Sequence, residues 1–489
     1  MNKKKLILIR GGVLFASSLP LIAASCKNNE TKEPKKEPEM DAPIAPPADP
    51  GKSEPMHSGE PKVLKTDISS LKLEFSPTNN TNKSEVLELL KKQPKLENLT
   101  ESDFDLKLEQ KALLNREGRI TIKANQNSEI IEGQFQIKIE KLKSVIAKEH
   151  IYSKDKTEVL EIGYDSRGII KRFDTKVKKV SAKLPEEVIS LYRAFENNEN
   201  EIIENLGKWD TSNIENMSQV FFRAKNFNTD ISSWKTDKVE DMSYMFYATE
   251  KFNINLDKWN TASVKNMNRM FQEAKMFNGN VSSWKTQNVT NMEHMFEKAT
   301  AFNQDLSSWN VENVSKMKNM FSGAKEFNKP LFKLINPKVS DMSYMFYGAE
   351  KFNDSSVSQW NTLGVTKMNA MFRDAKAFNQ NLSNWKTDNV TLMSDMFSGA
   401  DIFNSDISGW KTSKVTDMRQ MFKDAKAFNQ NISNWDVKNV TDVSSMFANA
   451  FSFKQDLDKW TFNSKEVKYE NFKKGAHISK LPNFNNKTK

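Results

Sequence analysis

Methionine recurs as Met-x-x-Met from Met242, Met267, Met292, Met317, Met342, Met368, Met393 and Met418, and paired soft thioethers are ligands for Cu(I). The same methionines stand beside phenylalanine at helical spacing, where an unbranched, polarisable side chain fills irregular core space. Packing is the simpler use, and no metal is expected. Asparagine follows phenylalanine at Asn228, Asn253, Asn278, Asn303, Asn328, Asn353, Asn379, Asn404 and Asn429. Such a column offers amides either to a ligand or to unpaired backbone groups at a bend, and the bend is the commoner need. A second column, Asp230, Asn255, Asn280, Asp305, Asn381, Asp406, Asn431 and Asp456, is charged in only half its places. It lacks the glycine-rich loops of a calcium-binding roll. The four histidines, His57, His150, His294 and His477, are scattered, and Cys26 is the only thiol. With no carboxylate pair set apart from the pattern and no glycine-rich phosphate loop, no catalytic constellation assembles. No enzyme activity, cofactor or small-molecule substrate is expected.

These columns share a frame. All ten tryptophans, Trp209, Trp234, Trp259, Trp284, Trp309, Trp360, Trp385, Trp410, Trp435 and Trp460, follow one 25-residue period, broken at Leu334 and by one extra residue between Phe352 and Trp360. The unit reads W-x-T-x-x-V-x-x-M-x-x-M-F-x-x-A-x-x-F-N. Repeats of this length mean units that cannot bury an apolar face alone and form a core by stacking. Val289, Met292, Met295, Phe296, Ala299 and Phe302 predict one face of a short helix. The following Asn303–Trp309 predicts a short edge strand, with Leu306 inward and Trp309 closing the coil. The expected fold is an α/β solenoid of about eleven 25-residue coils, a short helix plus a short strand in each. Its predicted structural core includes Trp234, Trp259, Trp284, Trp309, Met295, Phe296, Phe302, Trp385, Trp410 and Trp435. Pro330, Leu334 and Pro337 interrupt one unit. Two residues before each Phe-Asn pair, lysine alternates with something else: Lys225, Glu250, Lys275, Thr300, Lys325, Glu350, Lys376, Asp401, Lys426 and Phe451. Like charges on adjacent coils repel, and duplication of a two-coil unit would leave the same trace.

Outside the array the chain changes character. Lys3-Lys4-Lys5, a broken apolar run and Ala23-Ala24-Ser25 before Cys26 predict a signal peptide over residues 1–25. A lone cysteine after small residues is similar to the lipobox of bacterial lipoproteins, which makes Cys26 the expected lipid attachment. Residues 26–66, holding eight of the fifteen prolines, predict a disordered Pro/Lys/Glu-rich spacer. Residues 67–145 predict a small α+β domain, with LKLEF from Leu71 as a strand, SEVLELLKK as a helix capped by Ser84, and GRITIKA and EGQFQIKI as strands. Residues 156–206 predict an opening hairpin, turning at Asp165 to Gly168, and an N-terminal cap whose helix starts at Pro185. The repeats run over 207–463, and residues 464–489, with Val467, Phe472 and Ala476, predict a C-terminal cap and basic tail. The net charge of +10 comes from the two ends, because residues 201–460 hold 31 basic and 30 acidic side chains. A nucleic-acid-binding array would carry a basic stripe, so no nucleic acid is expected.

The phrases VTNMEHMFEKATAFNQDLSSWNVENVSKMKNMF and SSWKTQNVTNM resemble the BspA-like leucine-rich-repeat surface lipoproteins of mycoplasmas, and EVLEIGYDSRG with LPEEVISLYRAF resembles their opening segment. The Leu71–Leu142 region loosely resembles a domain of variable mycoplasma lipoproteins. The resemblance implies a protein anchored at the extracellular face of the membrane through lipid on Cys26. It also implies adhesion and antigenic variation, with a host surface or matrix protein as partner.

Overall fold

In the computed structural model, residues 64–334 and 337–484 are described. The expected signal peptide, Cys26 and nearly all of the spacer lie outside them.

The first folded part is a small α+β domain. It holds strands β1 (Thr66–Asp67), β2 (Phe104–Gln110), β3 (Gly118–Ala124), β4 (Ile131–Glu132) and β5 (Gln134–Ile139) and helix α1 (Lys83–Leu90). Antiparallel β2-β3-β5 forms the main sheet, with Leu106 opposite Ile122 and Ile122 opposite Phe135. Period-two alternation puts Ile120 and Ile122 into the core, where Val86, Leu87 and Leu90 from one face of α1 meet them. Two readings change here. The helix is capped by Asn82, not Ser84: its Oδ1 accepts from Glu85 N–H at 2.9 Å while its amide donates back to Glu85 Oε1 at 3.0 Å. The Leu71 segment forms no strand; its Leu71, Leu73 and Phe75 pack on the core, but Phe75 N–H turns back to Leu73 O at 3.2 Å.

A β-hairpin of β6 (Ile151–Tyr152) and β7 (Val159–Glu161) follows, then the tight turn in which Gly168 N–H donates to Asp165 O at 3.0 Å. From there the chain climbs in coils. A column of single parallel bridges runs Ile169, Ser190, Asn216, Asp241, Asn266, Asn291, Lys316, and resumes Asp341, Lys367, Leu392, Asp417, Asp442, Lys468.

The expected helix and strand of each coil do not form. Among the described residues from 184 to 463 the only helical elements are the 3-10 turns Leu206–Lys208 and Ser355–Gln359. The reason is visible in one coil. Met292, His294, Phe296 and Lys298 donate their N–H groups to the next coil, to Lys316, Lys318, Met320 and Ser322, at 2.6 to 2.9 Å. The alternate N–H groups of Met295, Glu297 and Ala299 close tight turns onto the carbonyls three residues back. His294 (φ 57°) and Lys298 (φ 56°) are left-handed, which no right-handed helix tolerates. Equivalent pairs recur at Tyr244 and Ala248, Arg269 and Glu273, and Gln420 and Asp424. Consecutive turns thus satisfy the same spacing of three and four that a helix would, and they leave every second amide free to bond between coils. Asn303–Trp309 is likewise irregular; Leu306 and Trp309 point inward as expected, but through a turn in which Trp309 N–H donates to Leu306 O at 3.1 Å.

The core is a pile of rings. Equivalent phenylalanines from Phe195 through Phe221, Phe246, Phe271, Phe296 and onward to Phe447 stack with centroids 5.3 to 5.8 Å apart and planes within 13°. Within a coil, Phe296 and Phe302 lie 3.8 Å apart. At the interrupted unit the Lys316 to Asp341 bridge is missing from the column, yet Phe321 N–H still reaches Met345 O at 2.9 Å. Leu334 is buried where a tryptophan is due, and Phe332 takes over the stacking, 5.7 Å from Trp360 with planes at 5°.

Both ends close with aromatics. Residues 184–206 are themselves a stacked coil: Leu191 N–H donates forward to Asn216 O, and Ile170 N–H reaches Ser190 O from below, both at 2.9 Å. Their expected helix gives way to left-handed Arg193 and Asn197. Closure comes one layer earlier, where His150 covers Phe173 at 4.5 Å and Phe173 covers Phe195 at 4.7 Å. At the other end Val467 and Phe472 are buried and Ala476 half-buried, and Phe484 adds a lid over Tyr469 at 4.4 Å.

Candidate interaction face

The predicted core residues are all internal. Met295, Phe296 and Phe302 have no exposed surface, and Trp234, Trp259, Trp284, Trp309, Trp385, Trp410 and Trp435 keep 2 to 3%. Each of these indoles donates to the carbonyl of the aliphatic residue one coil back, as Trp284 Nε1–H does to Leu256 O at 2.9 Å and Trp309 Nε1–H to Val281 O at 3.1 Å. Burying an indole requires a partner for its N–H, and the previous coil supplies it. The Met-x-x-Met side chains at Met242, Met267, Met292 and Met317 are buried in the same ring pile.

The polar columns are scaffold as well. Each asparagine of the Phe-Asn column accepts, through Oδ1, the N–H of the equivalent residue in the next coil, an unbroken ladder from Asn228 to Lys454 at 2.8 to 3.1 Å. Six of the eight members of the Asp/Asn column cap their own turns, as Asp305 Oδ1 does for Ser307 N–H at 2.8 Å, while Asn255 accepts from Asn280 N–H of the next coil at 2.9 Å and Asp456 pairs with Lys480 at 2.9 Å. Thr286 Oγ1 donates to Asn310 O at 2.8 Å, spanning another pair of coils. In the lysine column, opposite charges meet across coils: Lys275 with Glu250 at 2.8 Å, Lys325 with Glu350 at 3.0 Å and Lys426 with Asp401 at 3.1 Å. Lys275 holds the Glu250 carboxyl below the usual carboxylate range. His150 is fixed as a neutral ring: Nδ1 accepts from Gly163 N–H at 2.8 Å, Nε2 faces Lys171 O at 3.0 Å, and burial lowers its pKa. It is a packing group.

What remains is the turn-and-bridge side of the stack, and here the frame varies. Between residues 184 and 460 every tyrosine (Tyr192, Tyr244, Tyr247, Tyr344, Tyr347), every arginine (Arg193, Arg223, Arg269, Arg373, Arg419) and the single histidine, His294, fall in this strip. None falls on the Phe-Asn or Trp-Thr stretches of any coil. The side chains are half-buried or exposed, with Tyr344 39% exposed. Phe222 and Tyr247 stack at 4.8 Å, Arg223 lies 5.1 Å over Phe222 and Arg269 lies 5.7 Å over Tyr244. Further along, Lys318 and Arg373 lie 5.9 and 5.8 Å over Tyr344 and Tyr347. His294 Nδ1 and Gln272 Nε2 share Glu297 Oε2, each at 2.7 Å. Toward the C-terminal end the strip turns acidic: burial raises the Asp395 and Asp417 carboxyls, against the pull of Arg373 and Arg419. This face was not anticipated from the sequence. Its signal was there, in which residue types occupy the variable places of a nearly constant unit.

A protein of stacked coils with a nearly constant frame, and with its tyrosines and arginines gathered on one strip, belongs to the class of repeat proteins. The family described as "Mycoplasma protein of unknown function, DUF285" matches residues 189–300, 255–356, 276–383, 332–410 and 378–483, and the chain belongs to that family. Residues 64–138 match the Spiralin domain, found in a mycoplasma surface lipoprotein, and this marks the chain as a mycoplasma surface protein. No curated protein and no solved structure matches the chain.

Proposed function

We propose that this is a lipid-anchored surface protein whose stacked coils form a solenoid of the BspA-like, leucine-rich type, serving adhesion and host interaction without catalysis. Lipid on Cys26 holds it at the extracellular face, and the partner is a host surface or matrix component rather than nucleic acid or a small molecule. One observation carries the reading: all tyrosines and arginines of the array lie on one strip. These residue types dominate the energetics of protein recognition surfaces, and a scaffold that needed only to stack would have no reason to sort them. Lysine, by contrast, is spread over every side. The test is binding of the purified chain to host cells. Phe222→Ala/Tyr244→Ala/Tyr247→Ala is expected to abolish saturable binding, and Lys325→Ala/Lys426→Ala on the Phe-Asn side is expected to leave it intact. Equal binding by the two variants overturns the assignment of the face.

A second reading is an antigenic coat of variable length. The near-identity of Ala375–Trp385 (AKAFNQNLSNW) and Ala425–Trp435 (AKAFNQNISNW) favours it, since such copies let the array gain or lose coils without changing its core. Absence of saturable binding across a panel of host cells and matrix proteins selects this reading.

A further inference from the structure

The heptapeptide Asp-Met-Ser-Tyr-Met-Phe-Tyr occurs twice, at 241–247 and 341–347, four coils apart on the variable strip. Each copy presents two half-buried or exposed tyrosines. Each is bracketed by cations from the coil before and the coil after: Arg223 and Arg269 around the first, Lys318 and Arg373 around the second. Along the stack, two cations that flank one coil are separated by two coil heights, about 10 Å, although they occupy different places in their coils, and the two stations are separated by about 20 Å, at the spacing of parallel strands. Arg223, Arg269 and Lys318 have no carboxylate within ion-pair reach among the described residues, whereas Arg373 is held by Asp395 at 2.9 Å and Asp374 at 3.7 Å. Three acidic groups near the stations are already engaged. Asp241 and Asp341 each cap their own turn, accepting from Ser243 and Ser343 N–H at 2.8 Å, and Glu273 pairs with Lys298 at 3.0 Å.

Resting on the assignment of this strip as the binding face, we infer that its ligand is an acidic polysaccharide carrying a carboxylate on every second sugar, bound at both stations by one chain. The chemistry matches on three points. A pyranose has an apolar C–H face that lies flat on an aromatic ring, as half-buried Tyr244 and exposed Tyr344 provide. One sugar is about as long as one coil is high, so carboxylates on alternate sugars rise along the stack at the same interval as cations on alternate coils. Guanidinium groups bind carboxylates with two parallel hydrogen bonds, so Arg223 and Arg269 set both charge and register. The repeated station calls for a ligand that is itself periodic, and a polymer is the simplest such ligand.

Calorimetric titration of the whole chain in detergent with hyaluronan, a polymer of alternating glucuronate and N-acetylglucosamine, tests this. A fragment long enough to span both stations is expected to bind about a hundredfold more tightly than one that covers a single station. Arg223→Ala/Arg269→Ala is expected to weaken binding by roughly tenfold to a hundredfold, with partial rescue by Arg223→Lys/Arg269→Lys. Raising salt weakens it further, and Lys325→Ala/Lys426→Ala leaves it unchanged. No saturable binding, equal affinity for long and short fragments, equal affinity for uncharged dextran or a preference for sulfated heparin overturns the inference. So does host-cell binding that survives hyaluronidase treatment, which points to a protein partner instead. If that binding is still lost with Phe222→Ala/Tyr244→Ala/Tyr247→Ala, only the ligand class has failed and the face stands. If hyaluronan binding is lost in the lysine pair instead, the face itself is wrong.

Discussion

Trp309 serves its coil in two separable ways: its ring fills the space beside Trp284, 6.1 Å away, and its indole N–H satisfies Val281 O at 3.1 Å. Trp309→Phe keeps most of the ring and strands a buried carbonyl, so it should cost about 1 to 3 kcal/mol. Trp309→Ala also opens a cavity and should cost about 3 to 5 kcal/mol. Urea unfolding of the two variants measures the difference, and equal costs would mean that the hydrogen bond carries the whole contribution. Asp417 offers a test of charge. It sits half-buried in the bridge column, capping Arg419 N–H at 3.0 Å, and burial raises its pKa with Asp442 and Asp395 adding to the effect. A raised folded-state pKa means the native state holds the proton more tightly than the unfolded chain. Stability from this group is therefore present at low pH and is lost as pH rises through the folded value. Asp417→Asn keeps the cap and removes the charge. It should raise the melting temperature by roughly 1 to 3 °C at pH 7 and by nothing once the carboxyl is protonated. A gain that persists at low pH would assign the effect to something other than ionisation.

At the scale of the element, the sequence was informative about inward and outward and misleading about backbone. Trp309, Leu306, Met295 and Phe302 were legible as core because burial is a property of side-chain type repeated at a fixed period. The helix was not legible as absent, because spacing of three and four also fits a run of turns, and nothing in His294 or Lys298 announces a left-handed residue. Where glycine does stand in the second left-handed place, at Gly323, Gly348 and Gly399, the hint was available. In the small domain, β3 and β5 were read correctly from alternation, while the Leu71 segment alternates equally well and forms no strand. The inter-coil ladder explains how coils can be copied. Deleting Trp284 to Ser308 joins Ser283 to Trp309 in register, re-forms each Asn, Trp and Phe column one step shorter and leaves both caps in place. By circular dichroism and thermal melting it should be milder than Trp309→Ala, which leaves a flaw inside an intact array. A deletion more disruptive than the point change would rule out stacking of equivalent coils.

For the whole molecule, one long core is closed at the bottom by Phe173 and His150 and at the top by Phe472 and Phe484, so length can change without exposing it. The nearly neutral array suits display: 31 basic against 30 acidic side chains over residues 201–460 give no field that would pull it onto an acidic membrane. The surplus of positive charge at the N-terminal end belongs to the segment expected to be removed on export. The proposed tether at Cys26 and the folding of the array are separable, and that separation can be measured. Cys26→Ser should leave the stacked array with unchanged circular dichroism, since no described residue depends on the thiol. The same variant should stop partitioning into detergent with membrane lipoproteins, because the proposed thioether-linked diacylglycerol would supply two acyl chains at about 0.8 kcal/mol per buried CH₂. Purified variant and parent should bind host cells equally, while intact cells carrying the variant should lose the binding that the parent confers. Unchanged partitioning would place the anchor elsewhere in the chain, and loss of binding by the purified variant would make the lipid part of the recognition surface.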